Sequence, residues 1–262
     1  MAYTIACSNI KGGTGKTSTV SSLTGIFASQ GYRVLAVDCD PQSNLTIGLG
    51  INPDNLDKTL VEALVGAGPN NTNGGLPLSE VIIPMAEGFG LVPAHMALQA
   101  LELQMVSMFS REKVLRRKLE EVKDRYDLIF LDCSPSINML TINALTAADS
   151  VLVPVQANSF YALYGMSQLM NTIRYVQSDP NPDLKVLGVI LTMSNNTRIA
   201  KEVSGQLKEN FGDNLFNSII RLNTKLAEAP AMGQTISTYA GDSPVAEDYR
   251  NLAEEIKVRA KI

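Results

Sequence analysis

A glycine-rich segment with two lysines is the part of the sequence best suited to chemistry. Residues Lys11–Thr17 read K-G-G-T-G-K-T and follow closely on the apolar stretch Tyr3–Cys7. Glycines let the backbone turn tightly and direct successive N–H groups inward. A helix that begins here adds unpaired N–H groups and the positive end of its dipole. The spacing therefore predicts a strand, an anion-binding loop and a helix, in this order.

The side chains of this segment suit a nucleoside triphosphate with Mg²⁺. Lys16 is placed to reach the β- and γ-phosphates, and the Thr17 hydroxyl to ligate Mg²⁺. The usual phosphate-loop pattern has glycine five positions before Gly15, where this chain has Ile10, and it has no counterpart of Lys11. The predicted nucleotide contacts in this segment are Lys11, Gly12, Gly13, Thr14, Gly15, Lys16, Thr17 and Ser18. A solvated glycine-rich turn is the alternative that the segment leaves open.

Acidic residues end two apolar runs that predict strands. Asp38 and Asp40 follow one run, and Asp132 closes the run Leu128–Leu131. The carboxyl ends of parallel strands meet at one edge of a sheet, where ligands bind. We expect Asp132 to hold Mg²⁺ through water, with Asp38 tuning the same water shell, and Asp40 to orient the attacking water. The alternative is that these aspartates only cap helices or turns.

The extra lysine is predicted to act on a second nucleotide. Lys11 would neutralise charge that develops during hydrolysis, as an arginine finger does. Its position before two glycines makes it hard to fold back onto the nucleotide of its own chain. We therefore expect Lys11 to reach across a dimer interface, and we assign catalytic roles to Lys11, Lys16 and Asp40.

The rest of the chain alternates between apolar β-branched runs and helical patterns. The predicted strands are Tyr3–Ser8, Arg33–Asp38, Leu91–Pro93, Leu128–Asp132, Ser150–Val155 and Lys185–Met193. The predicted helices are Thr17–Gln30, Leu98–Val122, Met139–Ala147, Leu163–Gln177, Thr197–Phe211 and Val245–Ala260. This alternation predicts an α/β fold with a mostly parallel, twisted sheet and helices on both faces. We expect one domain over residues 1–262 without an N-terminal helix-turn-helix, and a mobile surface loop at Val65–Gly75.

Composition limits the classes of protein. The 262 residues are 45% hydrophobic and 18% charged with a net charge of −4, an ordinary globular balance that argues against a strongly basic nucleic-acid protein. A local basic patch is still compatible with this charge. We expect no secretory signal, because the first residues show neither a basic n-region nor a cleavage site, and the three cysteines, Cys7, Cys39 and Cys133, lie in or at the end of apolar runs. These features favour a reducing, cytoplasmic location.

Four segments together resemble the ParA/MinD family of deviant Walker ATPases, and within it the ParA/Soj partition proteins. They are Lys11–Thr17, Val37–Leu49, Tyr126–Asp149 and Ile220–Pro230, so the resemblance covers nearly the whole chain. It implies a P-loop NTPase with ATP and Mg²⁺ that forms an ATP-sandwich homodimer and binds nucleoid DNA without sequence preference. It further implies that a ParB-like or adaptor protein stimulates hydrolysis, and that the cargo is a plasmid, a chromosome origin or a protein assembly.

The resemblance also assigns residues. Lys11 matches the signature lysine of the family, Lys16 and Thr17 the phosphate and Mg²⁺ residues, Asp40 the water-positioning residue, and Asn223 a residue near the adenine. Two segments depart from the family pattern. Leu222 stands where the family often has a basic residue, and Ala157–Gly165 is one residue longer and lacks the usual acidic residues.

Basic residues in the last part of the chain are the candidate DNA contacts, two of them on one helical stretch. They are Arg198, Lys201, Arg221, Lys225 and Arg250. Two other functions compete with partition. A MinD-like membrane ATPase would need a C-terminal amphipathic helix, but Leu252–Ile262 is basic without an aromatic residue, so no membrane partner is expected. A metabolic ligase on the same fold would need a second pocket for a carboxylate substrate.

Overall fold

The computed structural model describes residues 1–65, 74–158, 162–195 and 197–262. Most of the predicted loop Val65–Gly75 lies outside the described residues. The same holds for residues 159–161 of the departure at Ala157–Gly165.

The described chain forms one sheet of eight strands in the order β3-β4-β2-β5-β1-β6-β7-β8. All neighbouring strands are parallel except β3, which runs antiparallel to β4 at the edge. The strands are β1 Tyr3–Cys7, β2 Val34–Asp38, β3 Ile83–Pro84, β4 Gly90–Val92, β5 Leu128–Asp132, β6 Ser150–Gln156, β7 Lys185–Ser194 and β8 Leu215–Arg221.

Helices cover both faces of this sheet. They are α1 Lys16–Ser29, α2 Asn44–Gly48, α3 Leu60–Leu64, α4 Leu98–Met105, α5 Val114–Glu120, α6 Met139–Ala147, α7 Ala162–Ser178, α8 Arg198–Phe211, α9 Lys225–Ala231, α10 Ile236–Tyr239 and α11 Pro244–Ala260. One core cluster joins α1 and α11 to the sheet through residues such as Phe27 and Tyr249. The other core cluster packs the helices α3, α4, α5, α6, α7 and α8 against the opposite face of the sheet. The predicted α/β architecture is confirmed.

The three central strands bring the predicted acidic residues together. β2, β5 and β1 are neighbours, and nearly every residue in them is buried, as continuous apolar runs predict. The parallel register pairs Asp132 with Asp38 on one side and with Cys7 on the other. Loops that leave these three strands therefore start from the same edge of the sheet.

The predicted elements are wrong in one region and incomplete in others. The predicted helix Leu98–Val122 is divided into α4 and α5, because Ser110 adopts a left-handed conformation (φ 49°) that a helix does not continue. The strands β3 and β8 and the short helices α2, α3, α9 and α10 were not predicted. Each spans seven residues or fewer, too short for a clear hydrophobic period.

The C-terminal helix is a packed helix of the core. Its residues Val245, Tyr249, Leu252 and Ile256 are fully buried against the sheet and α1. In the described ranges, no helix has the length and apolar character needed to cross a membrane.

Candidate nucleotide site

The loop between β1 and α1 has the backbone geometry of an anion-binding turn. Gly13 (φ 72°) and Gly15 (φ 85°) adopt left-handed conformations that glycine takes at little cost. Gly15 is the N-cap of α1, where no side chain caps the helix and no acidic residue occupies the first turn. The N–H groups and the positive end of the α1 dipole are thus available to an anion.

Neighbouring strands hold this loop in place. The Asn9 side chain donates to the carbonyl of Pro154 (2.7 Å) and accepts from the Lys11 N–H (3.0 Å). The Thr192 hydroxyl donates to the carbonyl of Thr14 (2.8 Å). Anchors from β6 and β7 therefore fix both halves of the loop before a ligand arrives.

The loop opens onto a cleft of about 290 Å³ that collects most of the predicted site. The residues lining it are Gly12, Gly13, Thr14, Gly15, Lys16, Thr17, Ser18, Asp40, Asn44, Pro135 and Met193. Lys16 is only 6% exposed, and its Nζ donates to the carbonyl of Lys11 (3.2 Å). A polyphosphate in the cleft would offer this ammonium stronger, charged acceptors.

Both carboxylate oxygens of Asp38 accept hydrogen bonds from neighbouring residues of the chain. Its Oδ2 accepts from the N–H and the hydroxyl of Thr46 (2.9 and 2.7 Å), and its Oδ1 accepts from the N–H of Asp40 (3.1 Å). Burial of this carboxyl raises its pKa to about 6, against the opposing effect of the hydrogen bonds from Thr46. Asp38 thereby fixes the start of the loop that places Asp40 at the cleft, and its predicted influence on the Mg²⁺ water shell stays a prediction.

Asp132 differs because its charge is not compensated. The carboxylate is fully buried, and neither oxygen accepts a hydrogen bond from the part of the chain that the structure describes. Burial and the neighbouring Asp38 raise its pKa. The Thr17 hydroxyl, close by but outside hydrogen-bonding geometry, and Lys16 oppose this rise. An orphaned buried carboxylate beside Thr17 fits a hydrated Mg²⁺.

A second cavity of about 230 Å³ continues from the cleft and suits the nucleoside. It shares Gly15, Ser18 and Met193 with the cleft, and its other walls come from β7, β8, α9 and α11. Asn223, for which the resemblance implies a place near the adenine, lines this cavity, and its Oδ1 accepts from the N–H of Lys225 (2.9 Å). Met193 has a left-handed backbone (φ 52°) and lines both cavities, and a Cβ built on Gly15 would lie 3.8 Å from its Cε.

The five candidate DNA residues fall into two groups. Arg198 and Lys201 are exposed on α8. The other three make contacts within the chain: Arg221 with Asp248, Lys225 with Glu228, and Arg250 with the carbonyl of Gly241.

Several residues of the site were not found from the sequence. Asn44 and Pro135 line the cleft, and Thr192 and Tyr249 line the second cavity. For Asn44, Pro135 and Thr192, the only signal in the sequence was that they lie close to the end of a strand. Tyr249 lies in the middle of a helix and had no such signal.

Comparison with known proteins identifies the family of this site. A family model described as an AAA domain matches residues 2–186. The chain is 42% identical to the sporulation initiation inhibitor protein Soj of Bacillus subtilis, over 98% of both chains. It is 40% identical to the chromosome-partitioning ATPase Soj of Thermus thermophilus, over 98% of this chain and 96% of the relative.

The chain belongs to the Soj/ParA family of AAA-domain ATPases. A crystal structure named as cobyrinic acid a,c-diamide synthase from Mycobacterium smegmatis, with bound ADP and magnesium, has a TM-score of 0.85 at 32% identity and covers 100% of this chain and 96% of its own. These comparisons confirm the predicted Soj/ParA family, its ATPase class and ATP with Mg²⁺ as the cofactors. They also confirm the P-loop NTPase fold.

Proposed function

We propose that this Soj/ParA-family ATPase is a positioning switch that alternates between a monomer and an ATP-sandwich dimer. The dimer binds nucleoid DNA without sequence preference, and a ParB-like or adaptor protein stimulates hydrolysis to release it. The relatives named for chromosome partitioning support this role, and so does the place of the chain in the same family. The location that follows is the cytoplasm, on the nucleoid.

The position of Lys11 carries the proposal. Its backbone anchors the loop through Asn9 and accepts the Lys16 ammonium, while the cleft residues begin only at Gly12. In this proposal Lys16 binds the phosphates of the nucleotide held by its own chain. Because Lys11 is not among the residues that line the cleft, the proposal assigns it to a nucleotide held by a facing copy, so that hydrolysis depends on dimerisation.

The other residues have distinct parts in this proposal. Lys16 and the loop N–H groups hold the phosphates, while Thr17 and Asp132 would hold Mg²⁺ and its water. Mg²⁺ supplies charge neutralisation between the phosphate oxygens when it is bound. Asp40, placed at the cleft by Asp38, orients the attacking water.

Substitution of Lys11 and Asp40 tests the proposal. With ATP and Mg²⁺, we expect the wild type to dimerise in size-exclusion chromatography with light scattering, and Lys11→Ala to stay monomeric. Phosphate release by Lys11→Ala should fall about 100-fold or more, as for loss of a group that stabilises the transition state. Asp40→Ala should still dimerise but release phosphate about 100-fold more slowly.

The surface variant Lys58→Ala is the matched control, because it removes a lysine that pairs with Glu80 away from the cleft. It should dimerise and hydrolyse ATP as the wild type does. If Lys11→Ala dimerises and hydrolyses ATP normally, the proposed switch is wrong. Binding of the ATP-bound wild type to anionic vesicles instead of DNA would favour the MinD-like alternative.

The diamide synthase name of one similar structure favours a ligase as the second candidate. A ligase needs a substrate pocket beside the γ-phosphate. The cavities next to the loop share loop residues with the nucleotide cleft, as expected for one bound nucleotide. ATP turnover without any carboxylate substrate, stimulated by DNA, would separate the partition function from the ligase.

A further inference from the structure

Arg221 lies on the wall of the second cavity, at the end of β8. Its neighbours there include Asn223 on the following turn and Met193 at the end of β7. The guanidinium is half exposed, with a side-chain exposure of 50%. An arginine at this point faces the space that continues from the phosphate loop, and its long side chain is normally mobile.

Asp248 removes this mobility. Arg221 donates from its backbone N–H (3.0 Å) and from Nε (2.8 Å) to Oδ2 of Asp248, and from Nη2 to Oδ1 (2.7 Å). The Asp248 side chain is only 7% exposed. This two-pronged pair fixes the plane of the guanidinium, and the main-chain bond fixes its base.

Such a pair leaves part of the arginine available. A guanidinium has five N–H donors and no acceptor. Asp248 uses Nε and Nη2, so the Nη1 donors and the flat face are not engaged by this carboxylate. The groups that fit them are acceptor atoms and an aromatic face, and a nucleobase and its ribose supply both.

We propose that Arg221 binds the nucleoside part of ATP and that Asp248 is the positioning residue that holds it. The inference rests on the proposed use of the cleft for the phosphates of ATP, and it assigns Arg221 to the nucleotide, although the sequence placed it among the DNA contacts. Arg221 stacks on the base or donates to its acceptor edge, while the loop and Lys16 bind the phosphates.

The same pair links the C-terminal helix to the nucleotide. Asp248 and Tyr249 are consecutive in α11, and the buried Tyr249 lines the same cavity. The Tyr249 hydroxyl lies 3.3 Å from the Thr19 hydroxyl in α1, one turn after the phosphate loop. Of two adjacent residues of α11, Tyr249 therefore lines the nucleoside cavity directly, and Asp248 holds Arg221, which also lines it.

Nucleotide affinity tests this assignment. We expect Arg221→Ala to weaken the binding of ATP and of ADP by the same factor, about tenfold, because both share the nucleoside. Inorganic triphosphate, used as a competitor, should bind Arg221→Ala and wild type equally. Asp248→Asn and Arg221→Lys should each give a smaller loss, since a guanidinium or an ammonium remains but is held less firmly.

A second arginine–aspartate pair, near the opposite ends of the strands, provides the control that distinguishes a loss of nucleotide binding from a loss of stability. Arg33 and Asp127 have the same arrangement, with bonds from the backbone N–H, Nε and Nη2 of the arginine. Arg33→Ala and Asp127→Asn should change thermal stability without changing the affinity for ATP, ADP or triphosphate.

Two results would overturn the inference. It is wrong if Arg221→Ala binds ATP as tightly as the wild type, or if its affinity for inorganic triphosphate falls as much as its affinity for ATP. A wild-type protein that binds neither ATP nor ADP would overturn the proposed function together with this inference. Normal ATP binding by both wild type and Arg221→Ala overturns this inference alone.

Discussion

Two buried aspartates at the centre of the sheet have opposite surroundings. Asp38 accepts three hydrogen bonds from Thr46 and Asp40, while Asp132 accepts none from the described residues. A buried carboxylate without partners is costly, and two such charges on paired strands repel one another. The protein without ligand therefore keeps an electrostatic cost at the very place where a cation would relieve it.

This cost predicts how stability depends on pH. Asp38 has a folded-state pKa of about 6 against an ordinary value of 3.8, so the folded state holds the proton more tightly. Stability of the ligand-free protein should therefore fall as the pH rises from about 4 to about 6, by on the order of 3 kcal/mol from this group. The raised pKa of Asp132 acts in the same direction.

Urea unfolding at several pH values, without nucleotide or Mg²⁺, measures this fall. Asp38→Asn should reduce it, because the amide does not titrate. Asp127→Asn is the control, since Arg33 lowers the pKa of the exposed Asp127 to about 2 and its contribution is lost only at lower pH. An equal fall in wild type and Asp38→Asn would contradict the prediction.

At the scale of elements, α1 is fixed by a close approach as well as by its apolar face. A Cβ on Gly25 would lie 2.2 Å from the Thr235 hydroxyl and 2.5 Å from the Ser237 hydroxyl. Thr235 precedes α10, and its backbone N–H and hydroxyl donate to Glu87 in the turn between β3 and β4. One glycine thus lets α1, α10 and the edge of the sheet meet.

Alanine at this glycine should destabilise the protein. In an ordinary helix, Gly→Ala stabilises by about 0.5 to 1 kcal/mol. In Gly25→Ala we expect a net loss of about 1 to 3 kcal/mol, because the added methyl must displace α10. Gly205→Ala in α8 is the matched control: no atom lies within 4 Å of its Cβ, so it should gain stability.

Thermal unfolding of the two variants gives the comparison. A Gly25→Ala protein as stable as Gly205→Ala would mean that α10 moves aside without cost. A destabilised Gly25→Ala that recovers in combination with Ser237→Ala would identify the hydroxyl contact as the source of part of the strain.

Local signals were readable from the sequence, and contacts between distant segments were not. The segment Lys11–Thr17 and the strand ends at Asp38 and Asp132 were predicted because each motif lies within a few consecutive residues. The bond from Thr192 to Thr14 joins residues 178 positions apart, and the Arg221–Asp248 pair joins residues 27 apart. Only the packing of β7, β8 and α11 brings these residues to the nucleotide cavities.

At the scale of the molecule, the proposed binding to DNA must overcome the net negative charge of the chain. The net charge is −4, so a bound duplex has to meet a local concentration of positive charge. Lys225 and Arg221 face acidic partners, whereas Arg198 and Lys201 are exposed at the start of α8. A dimer would present this pair twice, so among the five candidate residues the pair on α8 is the better placed for phosphate contacts.

The salt dependence of DNA binding tests this placement. The slope of log K against log salt is negative, and each lost phosphate contact reduces its magnitude by about 0.9. Loss of two contacts per protomer should therefore reduce the magnitude by about 3 to 4 per dimer. We expect this change in Arg198→Ala/Lys201→Ala, measured by fluorescence anisotropy with ATP and Mg²⁺. The variant Lys58→Ala/Arg125→Ala removes the same charge elsewhere and should keep most of the slope. Equal slopes for the two double variants would show that overall charge, rather than α8, determines DNA binding.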